Sequence, residues 1–368
     1  MAGEYDGSLF QYEGLDGFKV IASRAAAQTA GNMALNGLIE ESDSRGESAQ
    51  VWREGEEYKA GLTEGLGSKN LVADAVDAEN PDGESKYRYI AQDSMAMIVN
   101  DLGVVGARPE IFWMHMAVGS DSWFEDERRA TAFVEGTRDV CNDLRMTWFG
   151  GETPGLKGMV YPEAAIISGT AIGRIGAEER YIRGTDVEEG DRVFMLPSSG
   201  IHANGLTDAR ALAERLPDGY NTELPDGTKF GETLLTPTHL YVDFVQAALD
   251  EGIEIKRLEN MTGHGWRKVM RGPKDLTYRM TQTAPTMAIF DFLQEQYGVS
   301  DEEMYRIFNM GAGYAVYAKP EFMAPLSDIA SDLGFDGAWE AGGVEAGPKQ
   351  VIIEPLGIVL AGTTIAVR

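Results

Sequence analysis

Ser198-Ser-Gly-Ile-His-Ala-Asn-Gly205 is the stretch from which the rest of this chain can be read. It packs two hydroxyls, two glycines, an asparagine and one of only four histidines into eight residues. The run Arg192 to Leu196 before it predicts a strand, and the spacing of Leu206 to Leu216 after it predicts a helix. Backbone amides and small polar side chains at a strand-to-helix turn can hold an anionic group. The stretch therefore points to a phosphorylated small molecule as ligand. A turn-stabilising His202 and a helix-capping Asn204 are the competing structural roles. No acid–histidine constellation or G-x-S-x-G elbow accompanies Ser198 and Ser199, so a serine hydrolase is a poor reading.

Composition sets the frame around this turn. The chain has 368 residues, too many for one ordinary core, which suggests two domains. Its 44 glycines against 14 prolines fit an α/β protein with many tight turns, with mixed sheets packed with helices. The charged connection Arg180 to Gly190 puts the boundary just before it, giving domains 1–178 and 179–368. A formal charge of -27 repels phosphate backbones and argues against general nucleic-acid binding. An anionic substrate then needs local compensation from Lys, Arg, Mg²⁺ or backbone N–H groups. Cys141, the only cysteine, excludes an intrachain disulfide and a thiolate metal cluster, and reads as a small buried hydrophobe. The N-terminus MAGEYDGSLF has neither the basic nor the apolar region of a signal peptide. No uncharged apolar run approaches a membrane span, so a soluble, cytoplasmic protein is expected.

The polar residues that interrupt apolar patterns are the candidates for chemistry. Tyr87 to Val105 predicts a helix with Met95, Ile98, Val99 and Leu102 on an apolar stripe. Asp93 and Asn100 are seven apart and share a face, with Asp101 toward that side, which offers either a solvated face or a cation site. Glu64-Gly-Leu-Gly-Ser-Lys69 is a glycine-rich turn after a strand at Tyr58 to Thr63, without Walker A spacing. Lys69 could meet a phosphate, and Glu64 could ligate Mg²⁺, which takes hard oxygens. Glu152 follows two glycines at another strand end. His264 lies between glycines and could mark a second substrate loop, whereas His115 and His239 read as packing or hydrogen-bonding residues. Glu40 to Glu57 reads as a loop, Trp123 to Leu144 as one long helix, and Thr238 to Leu249 as a helix opened by Pro237.

Six segments in order resemble the aminoimidazole ribonucleotide synthetase family, also called the phosphoribosylformylglycinamidine cyclo-ligase family. Glu64 to Lys69 is similar to its DGVGTK turn. Met97-Ile-Val-Asn-Asp101, with Gly106-Ala-Arg-Pro109, resembles its MxVNDLxxxGAxP helix. Gly150-Gly-Glu-Thr153, continuing to Gly158-Met159, resembles GGETAEMPGMY. Ser198 to Gly205 resembles SSGxHSNG. Leu235-Thr-Pro-Thr238 with Tyr241-Val242, and Met304-Tyr-Arg-Ile-Phe-Asn309 with Gly311 and Gly313, complete the set.

The resemblance covers roughly Tyr58 to Pro355. It implies the two-domain synthetase-like fold, Mg²⁺ and ATP as cofactors, and a homodimer joined through N-terminal-domain sheets, for which the strand Ile111 to Val118 is suited. It implies that Glu64, Asp93 and Asp101 serve the metal and that Lys69, Asp93, Asn100, Asp101, Ser199 and Asn204 serve ATP or the phosphorylated substrate. Lys69, Glu152, His202 and His264 are the implied catalytic set. Three departures stand out. Glu64 replaces the Asp of the family's turn, which lengthens that metal ligand by one methylene. The usual ITGGGLxEN segment is Met261-Thr-Gly-His-Gly-Trp-Arg-Lys268, and the N-terminal glycine-rich loop is altered, leaving Asn32 to Gln50 to replace it. They leave open a related ATP-dependent phosphoryl transfer on another substrate, or a non-catalytic nucleotide-binding relative.

Overall fold

The computed structural model describes residues 13–362; the N-terminal stretch read for a signal peptide lies outside them. Two sheets organise the chain. The first contains β1 (Leu38–Glu40), β2 (Gln50–Glu54), β3 (Glu57–Gly65), β4 (Arg108–Val118), β5 (Thr147–Glu152) and β6 (Ala165–Gly176), in the order β1-β2-β3-β6-β4-β5. The core neighbours β3, β6 and β4 run antiparallel, while β5 joins β4 in parallel. The second contains β7 (Arg192–Pro197), β8 (Ile255–Asn260), β9 (Leu276–Met280), β10 (Ala312–Ala318), β11 (Trp339–Ala346), β12 (Gln350–Ile353) and β13 (Ile358–Ala361). Their order is β13-β12-β9-β11-β7-β10-β8, with β9 and β12 parallel.

Alternation decides which face of the first sheet is covered. In β4, Phe112, Met114 and Met116 are buried under the helices Tyr87–Gly103 and Glu127–Asp143. Trp113 and His115 point to the other, open side. The Tyr87–Gly103 helix is buried nearly all round, as a helix in the interior of a large unit must be. One side packs on the first sheet and the other meets the second domain, so its polar residues sit at the domain joint.

Three expectations are corrected by the local physics. Glu40 to Glu57 is an ordered strap: β1, β2 and the short turn Ser42–Ser44. Its acids are held by the second half of the chain, with Arg183 on Glu41 and Asp43, and Arg257 on Glu47. Arg271 donates to Gly46 O at 2.8 Å. Trp123 to Leu144 breaks at Asp126, whose carboxylate accepts from Arg129 N at 3.0 Å and caps a new helix, Glu127–Asp143. The helix after Pro237 starts only at Val242, because the backbone of 236–241 is bonded elsewhere. Cys141 is buried, as expected for a small hydrophobe, and burial pushes its thiol up to about 11. Among the described residues no helix is long and apolar enough to cross a membrane.

Candidate active site at the domain joint

The first polar cluster is dry. Lys69 opens the helix Lys69–Glu79, and its side chain and that of Asp93 are both 0% exposed. They form an ion pair at 2.8 Å, and Lys69 Nζ also donates to Thr236 O at 2.9 Å. Asp93 Oδ1 accepts further from Thr238 N at 2.9 Å and Thr238 Oγ1 at 2.5 Å, leaving Oδ2 buried without a hydrogen bond. Burial pushes the Asp93 carboxyl up and the Lys69 ammonium down, and their mutual attraction opposes both shifts. Along the same helix face Gln92 Nε2 donates to Thr238 O at 2.9 Å. Asn100 donates to His239 O at 2.8 Å and accepts from Tyr241 N at 2.9 Å. One helix face thus bonds the backbone of Thr238, His239 and Tyr241, which is why Pro237 opens no helix.

The turn Ser198 to Gly205 joins this cluster. Ser199 Oγ donates to Pro237 O at 2.6 Å, and Ser199 N–H donates to His202 Nε2 at 3.2 Å. Ser198 Oγ bonds Asn309 Oδ1 at 3.1 Å, and Asn309 Nδ2 reaches Gly200 O at 2.9 Å. Both serine hydroxyls are therefore engaged inside the protein. His202 is fully buried at φ 60, with Nδ1 unpartnered, and burial holds its imidazole well below the usual range. It is neutral at pH 7. Gly205, not Asn204, occupies the N-cap of the helix Leu206–Ala213, and no side chain caps it. Asn204 Nδ2 is a buried donor without a hydrogen bond.

The second cluster opens to solvent where β3 and β8 end. Glu64 is exposed, yet desolvation by the surrounding walls, then the charge of Asp101, pushes its carboxyl up. Asp101 accepts from Asn260 Nδ2 at 2.8 Å. Burial pushes the Asp101 carboxyl up against the pull of Lys268. Lys268 is buried and donates to Asn260 O at 2.8 Å and Thr262 Oγ1 at 2.5 Å. His264 sits beside it at φ 78, and burial plus the charges of Arg267 and Lys268 push its imidazole down to about 4. Lys19, on the helix Glu13–Ala27, reaches both Glu64 and His264 electrostatically.

The three carboxylates expected to serve the metal do not converge. Asp93 and Asp101 are eight positions apart on one helix, about 12 Å along its axis. Glu152 is further removed: the row Gly65, Ser168, His115, Glu152 crosses four strands in register. Three inter-strand steps put Glu152 about 14 Å from Gly65. Among the described residues, no group of three or more His, Cys, Asp or Glu is arranged to hold a metal ion. Asn260 and Gln92 belong to no local sequence pattern, while Thr238 and Lys268 lie inside quoted segments that assign them no role. Only the departure at Met261 to Lys268 gave any signal, and it drew attention to His264.

A protein of two mixed α/β units joined through a buried polar helix face is the class that this architecture defines. A family model described as AIR synthase related protein, N-terminal domain, matches residues 47–175, and the corresponding C-terminal domain model matches 188–354. The chain belongs to the AIR synthase related protein family. It is 32% identical over 294 residues to a phosphoribosylformylglycinamidine cyclo-ligase of Methanococcus maripaludis, covering 80% of each chain. A protein of that name from Methanothermobacter thermautotrophicus is 33% identical over 78% of this chain and 82% of its own. One from Staphylococcus epidermidis is 36% identical over 69% and 71%. The fold matches thiamine monophosphate kinase from Aquifex aeolicus, with TM-score 0.55, 17% identity and coverage of 84% and 90%. It also matches the hydrogenase maturation protein HypE in complex with ATP, with TM-score 0.57, 17% identity and coverage of 82% and 84%.

Proposed function

We propose that this protein is an ATP-dependent cyclo-ligase that closes formylglycinamidine ribonucleotide to aminoimidazole ribonucleotide in cytoplasmic purine biosynthesis. The observation that carries this reading is identity to cyclo-ligases at 32% over 80% of both chains, running through both domains. The γ-phosphoryl group of ATP passes to the formyl oxygen and turns it into a phosphate leaving group. A nitrogen of the amidine side then attacks the formyl carbon, the C–O bond breaks, and ADP and phosphate leave. Such a reaction needs alignment and charge neutralisation more than a covalent protein intermediate.

The open cluster suits that need. Glu64, Asp101 and the buried, unpartnered Asn260 Oδ1 are hard oxygen donors of the kind Mg²⁺ takes. Mg²⁺ bound there would neutralise polyphosphate charge. Asn204 Nδ2 offers a hydrogen bond to substrate, and His264, neutral at pH 7, can accept one. Lys69, Asp93 and Asn100 act as positioning residues: they fix 236–241, which in turn holds Ser199 and the His202 turn. Glu152 acts from the sheet edge, and the domain division is kept after residue 178. The open face of the first sheet, with Phe149 68% and Ile166 52% exposed, supports a homodimer through that face.

Incubation of the purified protein with formylglycinamidine ribonucleotide and Mg²⁺–ATP tests the reading. Aminoimidazole ribonucleotide and ADP should appear in equal amounts. A folded sample that binds ATP but makes no aminoimidazole ribonucleotide would overturn it.

A further inference from the structure

The open cluster contains a cation of its own. The charge of Asp101 pushes the Glu64 carboxyl up, and neighbouring like charges disfavour each other unless a positive charge is supplied. Lys268 supplies it from within the protein. Its side chain leaves the short turn Gly265–Met270 and runs inward, buried, to Asn260 O and Thr262 Oγ1. An ammonium has three donors, and these bonds use two. Asn260 links it to the acids, since the residue whose carbonyl accepts from Lys268 also donates through Nδ2 to Asp101 Oδ1. Asn260 Oδ1 remains buried without a hydrogen bond, 1% exposed as a residue and next to the same carboxylate. A buried amide oxygen costs free energy unless something electropositive meets it. Burial and the charge of Arg271 lower the Lys268 ammonium, while Asp101, Glu259 and Glu64 pull it back up.

We propose that Lys268 is a built-in counter-cation of a divalent-cation site formed by Glu64, Asp101 and Asn260 Oδ1. It is a positioning residue that sets how tightly the site holds its ion. With Lys268 in place, the pair of carboxylates carries a net charge of about one rather than two, so the ion is held loosely and can arrive and leave with the nucleotide. The Mg²⁺-dependent reading above supplies the context, but the metal affinity can be measured without any turnover.

Mn²⁺ binding to the full chain, followed by electron paramagnetic resonance or calorimetry without nucleotide, is the test. Lys268→Gln keeps donors for Asn260 O and Thr262 Oγ1 but removes the charge. It should tighten Mn²⁺ at least tenfold, the minimum expected from deleting a unit charge near a divalent ion at an effective dielectric of about 20. Lys268→Arg, which keeps the charge, should stay within about threefold of the parent. Unchanged Mn²⁺ affinity in folded Lys268→Gln overturns the inference. Should that variant fail to fold, Glu64→Gln is an exposed change that must weaken Mn²⁺ at least tenfold, and unchanged affinity there overturns it equally. No Mn²⁺ binding by the parent also overturns it, while product formation, measured separately, would leave the cyclo-ligase reading standing.

Discussion

Lys69→Met asks whether the first cluster is a joint or a ligand site. The substitution keeps most of the side-chain volume and removes the ammonium. Asp93 would then be left fully buried, with only the two donors of Thr238. Breaking a buried pair by deleting one partner costs about 3–5 kcal/mol, because the surviving charge is uncompensated. Burial already pushes the Asp93 carboxyl up, and losing Lys69 removes the main attraction that opposed this. In the variant Asp93 folds more readily in its protonated form. A carboxyl whose folded pKa exceeds its unfolded value binds more protons when folded, so variant stability rises as pH falls toward the unfolded value near 3.9. The slope is at most about 1.36 kcal/mol per pH unit, so going from pH 7.5 to 5.5 should recover up to about 2.7 kcal/mol of the loss. Urea unfolding followed by circular dichroism at the two pH values reads this directly. A loss below about 1 kcal/mol, or one equal at both pH values, would refute the joint. It would point to Lys69 as a phosphate contact, which should then appear as weakened ATP binding.

Three further outcomes are expected. Gly106→Ala should destabilise by roughly 2 kcal/mol or more in thermal unfolding, since φ is +83 and a Cβ would lie 2.2 Å from Arg180 O; a change below 0.5 kcal/mol would show that the backbone relaxes freely. His264, pushed down to about 4, has a folded value below its unfolded one, so its stabilising effect is complete above about pH 6.5 and is lost as pH falls through that value toward 4. Its imidazole resonances should report a neutral ring down to about pH 5, and titration near 6.5 would contradict the burial argument. If the proposed homodimer forms through the open face of the first sheet, light scattering should give a dimer mass for the parent and a monomer mass for folded Ile166→Asp; the same mass for both at micromolar concentration would overturn that interface.

Much of the fold was legible because the long elements obey simple periods. The helix at Tyr87 and the strands Arg108–Val118 and Ala165–Gly176 announce themselves by apolar spacing. β11 does not, because Trp339-Glu-Ala-Gly-Gly-Val-Glu-Ala346 mixes glycines and acids and is stabilised by its neighbours on both sides. The strap at 40–57 was misread for a related reason: its charges look solvated until the arginines that meet them, at 183, 257 and 271, are placed in space. Asp93, Asn100 and Asp101 stand out as polar residues on an apolar helix. Which of them bond the 236–241 backbone and which bond Asn260 depends on segments more than a hundred residues away, and no local pattern carries that. Lys268 was hidden more completely, since a lysine after Trp-Arg looks like an exposed surface charge.

The Tyr87–Gly103 helix has a consequence for the modularity of the chain. Its apolar stripe is core for the first sheet, and its polar stripe supplies the bonding partners for the second half. A cut in the connection between β6 and β7 would divide the sequence neatly but leave Gln92 and Asn100 without their backbone partners and Asp93 with Lys69 alone. The second half would lose the side chains that bond the backbone of 238–241. The halves are therefore not interchangeable parts. Heating should melt both sheets in one calorimetric transition.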